Sequence, residues 1–178
     1  MRQFNKVFGI GISRTGTSSL TLALEILGIP TVHWPTNMYD ICKYRGATDI
    51  TVACRFKELD QIFPDSLFVY TERESKSWLR SVTDHYKKKD PAEILPFGAK
   101  QFAHEADIKI FGKIWPKDCD FIQCYEKHQK DVFSHFGPRN NRLLKCNICL
   151  GDGWSKLCRF LEIPTPNTAF PRLNRRTS

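Results

Sequence analysis

Apolar positions along this chain alternate between two periods. Residues 7–12, "VFGIGI", form a short apolar run broken by glycines, the pattern of a strand buried in a parallel sheet. Immediately after it, Leu20, Ala23, Leu24 and Leu27 recur at helical spacing. They predict a helix over "SSLTLALEILG", with Gly28 as its C-cap and Pro30 just beyond. "PTVHW" reads as a second short strand, and "FKELDQIF" as a helix stopped by Pro64. "SLFVYTER" is rich in β-branched and aromatic residues and predicts the next strand. "SKSWLRSVTDHYKKK" has a helical pattern. From about 90 to 118 the pattern lapses, and Pro91, Pro96, Gly98, Gly112 and Pro116 make the stretch read as irregular. Helical spacing returns in "DCDFIQCYEKHQKDVFSHF"; "NRLLKCNI" predicts a last strand and "GWSKLCRFLEI" a last helix before "PTP". Strands alternating with helices predict an α/β fold with a mainly parallel central sheet. Without a repeat, a low-complexity tract or a linker, residues 1–178 read as a single domain.

Composition narrows this picture. A chain of 178 residues with 41% hydrophobic content suffices for one well-buried domain and is short for two. No apolar run approaches the roughly 20 residues that span a bilayer. The passage from "MRQFNK" into "VFGIGI" is too short and too glycine-punctuated for a secretory signal, so the expected location is cytoplasmic. The net charge of +8 suits an anionic ligand, nucleic acid or an acidic surface. Part of the excess is local: "YKKKD" at 86–90, read as a solvated helix end, and "RLNRRTS" at the C-terminus. The aromatic-interleaved basic stretches of single-strand binders are missing, which argues against nucleic acid. The seven cysteines are expected to be reduced. Cys146 and Cys149 form the one tight pair, with no second pair at zinc spacing, so no metal is expected. "LLKCNICL" reads instead as a buried strand in which cysteine acts as a small hydrophobe.

The candidate chemistry begins at "GISRTGTSS". Gly11 and Gly16 have the spacing of a phosphate-binding G-x-x-x-x-G-K-[ST] loop, but Thr17 stands where the lysine belongs. A strand, a glycine turn and a helix in that order aim backbone N–H groups at an anion, at the positive end of the helix dipole. Ser13, Thr15, Thr17, Ser18 and Ser19 add hydroxyl donors at the rim, and Arg14 supplies a cation three positions before Thr17. An arginine there contacts anionic oxygens from the side in bidentate fashion. "LFVYTER" ends in Thr71, Glu72 and Arg73, with no aspartate to hold Mg²⁺, so ATP or GTP chemistry is disfavoured. The bland alternative is a serine-rich turn that only caps a helix.

"SRTGTSSL" closely resembles the donor loop of the sulfotransferases that bind 3′-phosphoadenosine 5′-phosphosulfate (PAPS) and release the bisphosphate PAP. Their pattern is a basic residue, Ser or Thr, Gly, Thr, then Ser or Thr. Arg14 occupies the basic position, where the cytosolic branch usually has lysine. The resemblance implies that Arg14 contacts the transferring sulfonate and the bridging oxygen. It also implies that Thr15, Gly16, Thr17, Ser18 and Ser19, with Ser13 beside them, cradle the 5′-phosphate. In the family an arginine at the end of the third strand and a serine eight residues later bind the 3′-phosphate; Arg73 and Ser81 match that pair. Arg73 is placed on the carboxyl edge of the sheet that the first loop shares, and a helix starting near Ser75 turns Ser81 back toward it. Trp78 reads as core packing rather than an adenine platform. The end of the chain, "GWSKLCRFLEIPTPNTAFPRLNRR", is similar to small sulfotransferases, but it lacks the Arg-Lys-Gly of the cytosolic branch. Arg175, between Arg172 and Arg176, is the nearest substitute; a solvated basic tail is the other reading. The resemblance covers 6–28, 67–82 and 142–175 and implies a three-layer, P-loop NTPase-like fold. Residues 85–135 match nothing and are assigned to a helical acceptor or lid region.

Sulfonate transfer is an in-line displacement that needs charge neutralised on the leaving phosphate and a proton taken from the acceptor. His33, in "PTVHW", is the first candidate base, read against a satisfied histidine beside Trp34. Asp49, in "GATDIT", is the second, read against a turn aspartate; His85 is the third. Three classes of function compete. One is PAPS-dependent transfer to a hydroxyl or amine on a small molecule or carbohydrate. Another is a P-loop kinase or NTPase with a displaced basic residue. The last is a basic, non-catalytic anion-binding protein.

Overall fold

The computed structural model describes residues 3–88, 98–116, 119–138 and 140–173. Five strands form one sheet: β1 (Val7–Gly9), β2 (Thr31–His33), β3 (Gly46–Thr48), β4 (Leu67–Thr71) and β5 (Leu143–Cys146). Their order is β2-β3-β1-β4-β5, and every pair is parallel. The helices among the described residues are α1 (Thr17–Ile26), α2 (Met38–Lys43), α3 (Ile50–Ala53), α4 (Phe56–Ile62), α5 (Ser75–Lys88), α6 (Ala99–Phe111), α7 (Phe121–Phe136) and α8 (Trp154–Leu161).

Strand alternation divides the core in two. Phe8, Phe68 and Tyr70 pack with side chains of α2 to α7, whereas Val7, Leu67 and Val69 pack with α1 and α8. The result is the expected three layers, with the sheet covered on both faces. Leu20 and Leu24 of α1 are fully buried, each worth about 1.5–3 kcal/mol by transfer from water. The helix ends at Gly28 (φ 74), where Gly28 N–H reaches Glu25 C=O and Ile29 N–H reaches Leu24 C=O. That is the Schellman pattern expected from the sequence. Trp78 is fully buried, its ring 4.6 Å from that of Tyr125, in keeping with a core role.

Two expectations are corrected. The stretch 90–118 is not irregular throughout, because α6 runs from Ala99 to Phe111 with Gly98 and Gly112 as its two left-handed caps. The buried face of α6 is made of Ala99, Ala103, Ala106, Asp107 and Phe111, and with one large apolar side chain, at its very end, it carries little hydrophobic signal. "LLKCNICL" is not a buried strand either. Its first half is the edge strand β5, and Ile148–Leu150 form a 3-10 turn. Cys146 is buried and its burial pushes the thiol up to about 12, consistent with an inert small hydrophobe; Cys149 is exposed. Sequence reading also passes over β3, whose residues Gly46, Ala47 and Thr48 are fully buried but too few and too small to give a pattern. No helix among the described residues is long and apolar enough to cross a membrane.

The sheet order places the site. β1 is central, with β3 on one side and β4 on the other, so consecutive crossovers diverge at its carboxyl end. Gly9 lies opposite Thr48 and Val69, and Thr48 also lies opposite His33. The segments that leave β1, β2, β3 and β4 therefore emerge together on one edge.

Candidate functional site

A cavity of about 350 Å³ opens at this edge. The β1–α1 loop forms its floor. At Gly11 a Cβ would lie 1.9 Å from Thr71 Oγ1 and 2.4 Å from the Thr71 carbonyl, so only glycine lets the loop pass the end of β4. Gly16 is left-handed (φ 101) and starts α1, and no side chain caps that helix. The first-turn N–H groups have no carbonyl within the helix to bond. They lie where Gly16, Thr17, Ser18 and Ser19 line the cavity.

Two arginines border the floor. Arg14 donates from Nε to Ser81 Oγ at 3.0 Å, and its Nη atoms have no protein acceptor among the described residues. Arg73 donates from Nε to Ser77 Oγ (3.0 Å) and from Nη1 to the Arg14 carbonyl (3.2 Å). The Tyr125 hydroxyl clamps the Arg73 backbone, accepting from its N–H and donating to its carbonyl, both at 3.0 Å. Neither guanidinium is paired with a carboxylate among the described residues. Elsewhere in the molecule Arg55 pairs with Glu105 and Arg142 with Asp60. A cavity with two cations and no counter-charge on them attracts anions.

A histidine and a carboxylate line the same cavity. His33 Nε2 lies 3.5 Å from Asp49 Oδ2 and 3.1 Å from Ser18 Oγ. His33 Nδ1 lies 3.1 Å from Thr48 Oγ1 and 3.4 Å from Thr21 Oγ1. The two threonine hydroxyls are 2.6 Å apart, and Thr21 donates to the Thr17 carbonyl at 3.0 Å. Asp49 Oδ1 accepts from the Ser13 hydroxyl (2.9 Å) and from Ile50 N–H (2.8 Å), the latter capping α3. Asp49 is thus a turn aspartate and a cavity residue at once. His85 lines the far wall with Tyr86, Ala103 and Asp107. Tyr86 donates its hydroxyl to Asp107 Oδ1 at 2.7 Å. Burial, then the neighbouring carboxylate, drives that phenol far above its ordinary value.

The backbone is strained here. Arg14 (φ 74), Trp34 (φ 51) and Asp49 (φ 89, ψ −177) all line the cavity, and they are three of the five non-glycine residues with positive φ among those described. Asp49 occupies a region nearly confined to glycine, at a cost of about 1–3 kcal/mol. Such strain persists where the surroundings hold a side chain in place for use.

Most of the sequence candidates converge on this cavity, with differences. The Thr15 hydroxyl is not at the rim: Thr15 is fully buried, donates to the Ile12 carbonyl (2.7 Å) and meets Thr71 Oγ1 (2.7 Å), bracing the loop from below. Ser13 is turned to Asp49, and its carbonyl accepts from Trp78 Nε1 at 3.0 Å. Ser19 Oγ accepts from Leu173 N–H at 2.9 Å. Thr17 and Ser18 also line the cavity, Ser18 with its hydroxyl 3.1 Å from His33 Nε2. Ser81, expected beside Arg73, lies beside Arg14, and Ser77 takes the place next to Arg73. Arg175 lies outside the described residues. Sequence reading missed Trp34, Tyr86, Asp107, Cys149 and Leu173 as lining residues, and Thr21 and Thr48 as partners of His33. Only Tyr86 carried a local signal, one residue after His85 on the same helix.

A family model described as a sulfotransferase domain matches residues 6–45 and 41–178. The "Ava biosynthesis cluster protein M" of Aspergillus versicolor is similar to this chain, with 24% identity over an alignment of 218 residues that takes in 94% of this chain and 80% of that protein.

Proposed function

The chain belongs to the sulfotransferase domain family, and from that premise we propose that it transfers a sulfonate group from PAPS to a hydroxyl or amine of a small-molecule or carbohydrate acceptor. One observation carries this reading: two guanidiniums without carboxylate partners among the described residues share one cavity with a helix N-terminus that no side chain caps and with a histidine–carboxylate pair. A donor with phosphates at both ends of a nucleoside offers each of the two guanidiniums a phosphate.

Each residue then has a task. The loop amides, the first turn of α1 and the hydroxyls of Thr17 and Ser18 hold the 5′-phosphate. Arg14 turns its Nη atoms to the sulfonate and the bridging oxygen, with Ser81 holding its Nε. Arg73 takes the 3′-phosphate through Nη2. The donor supplies an activated sulfur: the acceptor oxygen or nitrogen bonds to it as the bond from sulfur to the bridging oxygen breaks, and the electron pair leaves with the phosphate. Arg14 and the amides neutralise the charge that develops there. His33 Nε2 accepts the acceptor's proton, and Asp49 Oδ2 faces the imidazolium so formed.

A thermal-shift series tests the proposal. Adenosine 3′,5′-bisphosphate without metal is expected to raise the melting temperature by several degrees. A ligand at about 100 times its Kd adds about 2.7 kcal/mol, and each kcal/mol moves a domain of this size by roughly 2–4 °C. Mg-ATP is expected to do little. Stabilisation by Mg-ATP and not by the bisphosphate would favour a P-loop kinase or NTPase and overturn the reading.

A further inference from the structure

We propose that Thr21 and Thr48 are positioning residues for His33: they hold a proton on its Nδ1 and so leave Nε2 as the atom that accepts the substrate's proton. The inference rests on the reading of His33 as the base, and its argument is the direction of one hydrogen-bond chain.

The chain starts at an atom that only accepts. Thr21 Oγ1 lies 3.0 Å from the Thr17 carbonyl, four residues back on its own helix, the usual bond for a helical threonine. Thr21 has a single hydroxyl proton, and that bond uses it. The 2.6 Å contact between Thr21 and Thr48 then needs its proton from Thr48. With that proton committed, the 3.1 Å contact between Thr48 Oγ1 and His33 Nδ1 needs its proton from Nδ1. The same N–H has Thr21 Oγ1 as a second acceptor at 3.4 Å. A neutral imidazole carries one N–H, so Nε2 holds the lone pair.

That lone pair is on the reacting side. Nε2 faces the Ser18 hydroxyl at 3.1 Å and Asp49 Oδ2 at 3.5 Å. Once Nε2 takes a proton, the new N–H points at a carboxylate that is already in place. Reversing the chain would put the proton on Nε2 beforehand and remove the base. The register leaves Thr48 no freedom to avoid this role. It is fully buried, opposite His33 on one side and Gly9 on the other, with its Cγ2 filling the space a side chain at Gly9 would need. Thr21 reaches the pair from α1, so three elements meet in one chain of bonds.

The experiment reads the tautomer directly. Long-range proton–nitrogen correlation on nitrogen-15-labelled protein, at a pH where its spectrum shows His33 to be neutral, is expected to show His33 as the Nδ1–H form. Thr21→Val keeps the shape of the side chain and removes the acceptor of the Thr48 proton. Thr48 is then free to donate to Nδ1, and the tautomer is expected to move to Nε2–H. Sulfonate transfer should fall at least about tenfold, part of the 10²–10⁴ that a general base contributes, with affinity for the bisphosphate unchanged. Thr21→Ser should restore the Nδ1–H form. Thr21→Ala, well suited to a helix, gives the same reading if valine disturbs α1. An Nε2–H form in the unaltered protein, or an Nδ1–H form that survives both Thr21→Val and Thr21→Ala, would overturn the inference. The tautomer is read without donor or acceptor. A protein that shows the expected tautomers but ignores the bisphosphate would therefore refute the sulfotransferase reading and leave standing only the hold of Thr21 and Thr48 on the Nδ1 proton.

Discussion

Arg14 and Arg73 illustrate how little separates a structural arginine from a binding one. Both are anchored through Nε to a serine hydroxyl, and Arg73 also through Nη1 to a carbonyl. Arg55, by contrast, has Glu105 on its Nη2 and the Phe102 ring 3.8 Å beneath its guanidinium. What distinguishes the two cavity arginines is an anchored base with uncommitted outer nitrogens, which is the preorganised state a phosphate needs. Arg73 should therefore discriminate between nucleotides. Arg73→Ala is expected to weaken adenosine 3′,5′-bisphosphate by roughly 10- to 100-fold, the worth of about 1.5–3 kcal/mol for a bond to a charged group. Adenosine 5′-phosphate should be much less affected. Titration calorimetry of both ligands checks this; equal losses would remove Arg73 from the 3′-phosphate.

At the scale of elements, a buried histidine helps tie the loop to the far layer. His128 on α7 is 5% exposed and donates from Nε2 to the Ile10 carbonyl at 2.9 Å, where β1 runs into the loop. The Phe56 ring meets it edge-on at 5.9 Å. Burial lowers the pKa of His128, and its backbone bond only partly opposes that. The folded state therefore resists a proton that the unfolded chain accepts near the ordinary histidine value of about 6.5. With the folded pKa depressed, the unfolded chain binds more protons through this window, so stability is full above it and lost as pH falls. Denaturant unfolding at about pH 7.5 and about pH 5.5 should show a loss that His128→Gln reduces, because glutamine can keep a donor toward Ile10 and does not titrate. An equal loss in both proteins would place the acid sensitivity elsewhere. The same element scale explains what was legible. The strand, turn and helix around "GISRTGTSS" are neighbours in sequence, and so are Arg73 and α5, so local pattern was enough to find them. The buried face of α6 is mostly alanine, with Phe111 only at its end, and β3 is three small residues, so neither stands out by hydrophobicity. The link from His33 to Thr21 and Thr48 depends on strand register, which three-residue strands do not encode locally.

At the scale of the whole molecule, the end of the chain returns to its beginning. The tail after α8 is held by Trp154, whose Nε1 donates to the Thr168 carbonyl at 2.6 Å and whose ring lies 4.8 Å from that of Phe170. The approach is close because residue 153 is glycine: a Cβ there would stand 3.3 Å from Phe170. So seated, the tail carries Leu173 to the first turn of α1, where its N–H meets Ser19 Oγ, and Leu173 becomes part of the cavity wall. No local reading predicts this, since the contact joins residues 154 positions apart. It also means that the cavity wall is finished by residues outside the loop. Phe170→Ala should loosen the tail at a cost of about 1–2 kcal/mol, the ordinary scale for a partly buried contact. Bisphosphate affinity should fall several-fold although Phe170 does not line the cavity. Limited proteolysis should cut the variant after α8 faster than the unaltered protein, and bound bisphosphate should slow that cutting, because ligand and tail share the first turn of α1. If the tail is cut faster while affinity stays the same, the C-terminal strap belongs to folding alone and the cradle is complete without it.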